Sequence, residues 1–332
     1  MTMTGPVHIL GAGVMGLCVA TELTSRGINV TLQDRTPDPG PQACSWWAGG
    51  MLAPFCEGES AEEPVVRLGQ EAAGWWGAQG VPVQRNGSLV VTLDRDRREL
   101  DRFARRTSHH TDLNPDQIAT LEPQLAGRFR RALHFATEAH LAPRQALGHL
   151  RDALQAKGIT IQQDAPKTHR LTIDCRGLAA KDALPDLRGV KGEMVVLHAP
   201  EVTLHRPIRL LHPRHPLYVV PRGDGVFMLG ATQIESGERG RASVRSLLEL
   251  LSAAYALHPA FGEAELVEIG TDARPAFPDN LPRLRRAGDT LYINGLFRHG
   301  FLLAPAMARM AADLICDGIT PERMDEDNRE RC

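Results

Sequence analysis

The sequence predicts an α/β (α+β) fold with two kinds of sheet, one parallel and doubly wound, the other mostly antiparallel. Three observations carry this expectation. At the start of the chain, an apolar run (residues 7–10), a glycine turn, a helical stretch (17–26) and a second apolar run (28–32) stand in order. That order is the strand–turn–helix–strand unit of a parallel sheet. From Gly189 the texture changes to short apolar runs at 190–198, 216–221 and 226–232, separated by turn signals such as Gly223-Asp224-Gly225. Such spacing predicts antiparallel strands. Near the other end, strand, glycine turn and helix recur over residues 291–294, 295–300 and 301–317.

The first turn reads Gly11-Ala12-Gly13-Val14-Met15-Gly16, with Asp34 after the second strand. In this context the spacing is that of a dinucleotide site. Gly11 allows the tight turn, Gly13 lets a pyrophosphate approach the backbone, and Gly16 lets helix and strand pack closely. The helix N-terminus offers free N–H groups and the positive end of its dipole to phosphate. Asp34 suits a ribose hydroxyl. The motif alone does not separate NAD from FAD.

A chain of 332 residues has room for two domains. Its net charge of −2 gives no reason to expect nucleic acid or an anionic membrane surface. No apolar run reaches the ~18 residues of a membrane span. The cysteines (Cys18, Cys44, Cys56, Cys175, Cys316, Cys332) form no C-x-x-C pair and no zinc spacing, so no metal site is expected. Scattered thiols predict a reducing, cytoplasmic setting. The first residues lack a basic segment, so no secretory signal is expected.

Between these landmarks the elements follow in order. Residues 36–42 are turn-rich. Ala43 to Pro54 joins small residues to Gly49-Gly50, which allows close approach by a flat ligand or another backbone. Residues 63–79 read as one helix with Val65, Val66, Leu68 and Ala72 on its apolar side. Asn86-Gly87 within 81–93 is a hairpin signal. Residues 95–106 form a charge-rich helix, and Asn114-Pro115 opens a short one. A strand follows at 133–136. A helix after Arg144 has Leu147, Leu150 and Leu154 on one face, with Gly158 at its end. Strands follow at 159–163 and 171–174, the latter ending in the turn Cys175-Arg176-Gly177 under the nucleotide. Residues 243–257 form an amphipathic helix and 266–273 a strand. His140 and His215 read as structural residues.

The second glycine turn gives the chain a second helix N-terminus for the other end of one long cofactor. FAD has an ADP end and a flavin end, so this feature favours FAD over NAD.

Taken together, the motifs resemble the D-amino-acid-oxidase-like FAD-dependent oxidoreductases, and within them the glycine oxidases of thiamine biosynthesis. The resemblance rests on the first glycine motif with Asp34 and on residues 48–54, 174–178 and 190–193. It continues through Tyr218-Val219-Val220-Pro221-Arg222 with Gly230-Ala231-Thr232, Arg274-Pro275, and Leu296-Phe297-Arg298-His299-Gly300 running on to Pro305. It implies a Rossmann-like FAD-binding domain (5–80, 140–185 and 290–320), interleaved with a substrate domain built on a mostly antiparallel sheet (81–139 and 186–289), and a charged tail (321–332). The implied FAD contacts are Gly11, Gly13, Val14, Met15, Gly16, Asp34, Arg35, Cys44, Ser45, Gly49, Gly50, Met51, Gly177, Leu296, Phe297, Arg298, His299, Gly300, Phe301 and Leu302. Arg298 and Arg274 would hold the substrate carboxylate, with Tyr218 adding a hydroxyl.

The implied reaction is oxidative deamination of glycine, with sarcosine and small D-amino acids as further substrates. O2 would reoxidise the flavin to give H2O2, and the imine would supply thiazole formation. No side chain has the spacing of an acid–base pair, so no catalytic residue is assigned. No cysteine lies between Cys175 and Cys316, which implies non-covalent FAD. The family also implies a homo-oligomer, although no interface is legible. The sequence departs from the family pattern at Trp46-Trp47, in the short segment 163–171, and at Asp272-Ala273, where Asp272 has a nearby cation as an expected partner. Rival readings are a sarcosine oxidase or D-amino-acid dehydrogenase of the same fold, an NAD(P)-linked dehydrogenase, and a non-catalytic flavin module.

Overall fold

The computed structural model of the chain describes residues 5–164, 169, 171–212 and 216–325. His215, Cys332, part of the short 163–171 segment and most of the expected tail lie outside the described residues. The elements that position the site are strand β1 (Val7–Leu10), helix α1 (Val14–Ser25), β2 (Val30–Gln33), β3 (Leu171–Asp174), β4 (Arg188–His198), β5 (Ile208–Leu211), β6 (Leu217–Gly223), β7 (Val226–Gly230), β8 (Glu265–Ala276), β9 (Thr290–Asn294) and α2 (Gly300–Asp317).

One sheet has seven strands in the order Met324–Asp325, Arg283–Ala287, β9, β3, β1, β2, Ile161–Gln162. Its pairs are parallel except the hairpin of Arg283–Ala287 with β9. That hairpin turns at Gly288, whose φ of 58° suits glycine. The sequence reading placed residues 283–287 with the antiparallel half. Their direct return onto β9 draws them into the parallel sheet instead, and Met324–Asp325 of the expected tail pairs beside them.

Helices α1 and α2 pack against each other on this sheet. Both are apolar nearly all round, as befits helices buried on several sides. Pro305 lies inside α2 and has no N–H for the carbonyl of Phe301, four residues back. The Trp76 indole donates to that carbonyl at 2.9 Å, so the buried acceptor is satisfied.

The other sheet runs Ile234–Glu235, β4, β7, β6, β5, Ser88–Thr92, Ala132–Phe135, Thr111–Leu113, and β8 pairs with β4 off this path. It is antiparallel except where β5 meets Ser88–Thr92. Strand alternation gives it two different faces. Ile208, Leu210, Leu217 and Val219 face an apolar core shared with Leu250, Ala254 and Leu257 of the helix Val244–Leu257. Arg209 and Tyr218 are cross-strand partners on the opposite face.

Two local expectations are corrected. Asn86-Gly87 does not close a hairpin. Gln84 bridges to His140, while Ser88–Thr92 pairs with Ala132–Phe135 and β5. Residues 63–79 form two helices, Glu63–Gly69 and Ala72–Ala78, rather than one. A Cβ on Gly69 would press on the Leu302 side chain at 2.8 Å, so close packing on α2 accompanies the break.

Candidate active site

The first glycine turn sits where β1, β2 and β3 end together. Gly11 N–H donates to Gln33 O, and Cys175 N–H to Leu10 O, both at 2.7 Å. Gly11 has φ 95°, and a Cβ there would run into the Cys175 carbonyl. A Cβ on Gly16 would overlap the Gly11 carbonyl, so Gly16 serves the helix–turn contact. Gly13 is different. A Cβ on it would meet only Ser45 Oγ, 3.4 Å away, and its φ of −73° is open to any residue. The space above Gly13 is therefore unfilled by protein. Asp34 reaches back to the turn, its Oδ2 accepting Ala12 N–H at 2.6 Å.

This turn opens into a cavity of about 1120 Å3, a little above the ~300–1000 Å3 range of small-molecule sites. Of the expected cofactor contacts, Gly11, Gly13, Val14, Met15, Asp34, Arg35, Cys44, Ser45, Gly49, Gly50, Met51, Gly177 and the whole turn 296–302 line it, and Gly16 alone does not. The second turn is fixed by Asn294, whose Nδ2 donates to Gly177 O at 2.9 Å, and by Phe297 N–H donating to Pro275 O at 2.9 Å. The Gly49-Gly50 segment is held by Arg222, which donates to Gly49 O at 2.8 Å and Leu141 O at 3.0 Å. Burial, with no carboxylate paired to it among the described residues, brings the Arg222 pKa down to about 10. Burial, then Asp272, raises the Cys44 thiol to about 11, so it stays protonated at neutral pH.

The three expected substrate contacts, Tyr218, Arg274 and Arg298, also line the cavity. The Tyr218 ring is wedged between two glycines. A Cβ on Gly49 would come within 3.0 Å of it and one on Gly230 within 2.6 Å of its hydroxyl. Burial raises the Tyr218 pKa, so its hydroxyl remains a donor. Arg274 projects across the β4–β8 pair, over Gly192, where a Cβ would overlap the guanidinium. Arg274 Nη1 donates to Thr232 O at 3.2 Å, and among the described residues no carboxylate pairs with Arg274. Asp272 takes Arg239 instead, at 2.5 and 2.9 Å.

Arg298 is also held by protein partners. Its Nη2 pairs with Glu57 Oε2 at 2.8 Å and donates to Ser60 Oγ at 2.6 Å. Glu57 also pairs with Arg209 and accepts from His299 Nε2 at 2.9 Å. A carboxylate has only acceptors, so the 2.9 Å contact to Glu57 puts the His299 proton on Nε2, against the longer 3.3 Å approach of Arg298 Nε–H to the same atom. Its Nδ1 is buried without a hydrogen-bond partner. Burial alone would raise the Glu57 pKa, but Arg298, Arg209 and His299 together hold it well below the ordinary carboxylate range. Sequence reasoning missed Glu57 and Arg209. The available signal for Arg209 was a charge inside the apolar run Ile208–Leu211.

These features fit FAD. The cavity joins two glycine turns, each leading into a helix of twelve or more residues, and leaves open space at Gly13. The family description DAO, FAD dependent oxidoreductase, matches residues 6–314. The chain belongs to this family. The FAD-dependent oxidoreductase is 55% identical over 324 residues to a Rhizobium etli protein provisionally assigned as the thiamine biosynthesis oxidoreductase ThiO, covering 96% of this chain and 98% of that one. It is 26% identical over 350 residues to glycine oxidase of Pseudomonas aeruginosa, covering 94% and 95% of the two chains. Its fold matches crystalline glycine oxidase of Geobacillus kaustophilus with a TM-score of 0.80 at 21% identity over 97% of each chain. FAD is the cofactor of this oxidoreductase. Among the described residues no cluster of His, Cys, Asp or Glu could hold a metal, and no helix is long and apolar enough to cross a membrane.

Proposed function

We propose that this oxidoreductase deaminates glycine oxidatively, accepts sarcosine and small D-amino acids, and works in the cytoplasm with non-covalent FAD. The observation that carries the reading is Arg274, a guanidinium lining the FAD cavity beside Tyr218 without an acidic partner among the described residues. A half-buried cation left in that state suits an incoming carboxylate. The relatives named glycine oxidase and ThiO support the substrate and the thiamine route.

FAD, which the turns at 11–16 and 296–302 would hold, would supply the redox chemistry, hydride acceptance from the substrate α-carbon and return of two electrons to O2. Arg274 would bind the substrate carboxylate, and the Tyr218 hydroxyl would donate a second hydrogen bond. The substrate amine must be neutral so that its lone pair can form the imine. No side chain is assigned as its base, because the Glu57 carboxylate is already engaged by two guanidiniums and an imidazole. Positioning and electrostatics are then the protein's contribution. Overall, glycine, O2 and water give glyoxylate, ammonia and H2O2, and the imine before hydrolysis is the species that would serve thiazole formation. The seven-stranded sheet would carry FAD, and the face of the other sheet bearing Arg209 and Tyr218 would carry substrate. Oxygen uptake with glycine, with H2O2 and glyoxylate formed in equal amounts, tests the reading. Absence of uptake with glycine, sarcosine and D-alanine would overturn it.

A further inference from the structure

On the substrate side of the cavity three guanidiniums, Arg209, Arg274 and Arg298, have one directly paired carboxylate, Glu57, among the described residues. Glu57 is one carboxylate shared by two guanidiniums, with side chains 16% exposed for Arg209 and 32% for Arg298. Arg274 adds a third cation, and both Arg274 and Arg209 act electrostatically on the Tyr218 hydroxyl. A reacting glycine with a neutral amine brings one negative charge. That matches Arg274, while Arg209 and Arg298 share Glu57 and the buried Glu138 acts on Arg209 from farther off.

The hydrogen-bond inventory points the same way. Glu57 already engages Arg209, Arg298 and His299, which leaves little of its acceptor capacity. Arg209 Nε is buried and has no hydrogen-bond partner. Arg209 lines the cavity and stands directly across the strand pair from Tyr218. An unpartnered guanidinium donor beside the substrate pocket is the recognition chemistry of a second carboxylate.

We propose that Arg209, with Arg298 and Glu57, forms a second anion subsite, so that the enzyme favours amino acids with a second carboxylate on a short arm. The inference rests on the amine-oxidase reading above. The substrate's α-carboxylate takes Arg274, and the second carboxylate takes Arg209 and the face of Arg298 not held by Glu57. The oxidation itself is unchanged, and the added carboxylate supplies binding and orientation only.

The test uses the FAD-loaded enzyme and compares kcat/KM for iminodiacetate against sarcosine and for D-aspartate against D-alanine. At least one diacid exceeds its partner by about tenfold or more, the scale of one charge-assisted hydrogen bond to a buried cation. In Arg209→Met that ratio falls by about tenfold or more. Should the variant not fold, malonate and acetate titrated into the wild-type enzyme, followed by the flavin spectrum, decide the matter, with malonate binding about tenfold more tightly. If glycine and sarcosine are oxidised while the diacids show no advantage and malonate binds no better than acetate, the subsite is refuted and the amine-oxidase reading stands. If no amine is oxidised, that reading fails, and the malonate titration alone still decides for or against the anion subsite.

Discussion

Replacing Glu57 by Gln removes the carboxylate that pairs directly with both Arg209 and Arg298. Glu57 is buried and both partners lie within ion-pair distance. With charge centres ~4 Å apart and an effective dielectric near 20, each pair is worth about 4 kcal/mol before desolvation. Arg298 is partly exposed, so its share is the smaller. Breaking a buried pair by removing one partner typically costs ~3–5 kcal/mol, and that is the expected loss at pH 7. At about 2 °C per kcal/mol for a large domain, Tm should fall by ~6–10 °C. Thermal and urea unfolding, with saturating FAD for both proteins, measure it.

The pH dependence has a definite sign. Glu57 is held well below its ordinary value of 4.5, so its contribution is complete above that pH. It is lost as pH falls through the depressed folded value. The wild type should therefore approach Glu57→Gln in stability below pH 4.5. A loss under ~1 kcal/mol at pH 7, or a gap that does not narrow in acid, would refute this account of the cluster.

Other outcomes follow from the same geometry. Gly13→Ala should fold normally yet bind FAD weakly, because the new methyl enters cavity space and meets only Ser45 Oγ. Gly16→Ala should fail to fold, since its methyl overlaps the Gly11 carbonyl. Circular dichroism with flavin absorbance separates the two. Trp76→Phe leaves the Phe301 carbonyl without its donor, and a buried unsatisfied acceptor costs ~1–3 kcal/mol in urea unfolding. An unchanged midpoint would show that the bond is unimportant.

Features set by local spacing were legible in the sequence. The turn at Gly11, the acid at Asp34 and the second turn at Leu296 each follow a strand directly, so strand pairing carries them to one edge. Relations between distant segments were not. Glu57 and Arg298 are 241 positions apart in the sequence, and no periodicity links them, so their pairing was not legible. Asp272 called for a nearby cation, but its identity was not legible, because Arg239 reaches in from a loop 33 positions away. Asn86-Gly87 had the residues of a hairpin turn, while the choice of strand partners was made by segments more than forty residues away. Helix 63–79 broke where Gly69 meets Leu302, a contact across the fold.

The central claim is that one cavity brings FAD and an amino-acid carboxylate together through Arg274. Anaerobic titration of the FAD-loaded enzyme with glycine, followed by flavin absorbance, tests it most directly. The account predicts that glycine bleaches the flavin, that air restores it with release of H2O2, and that Arg274→Met requires about 100-fold more glycine, the ~2–5 kcal/mol lost with a buried charge partner. Flavin that stays oxidised under glycine, sarcosine and D-alanine, or an Arg274→Met variant that titrates like the wild type, would contradict it.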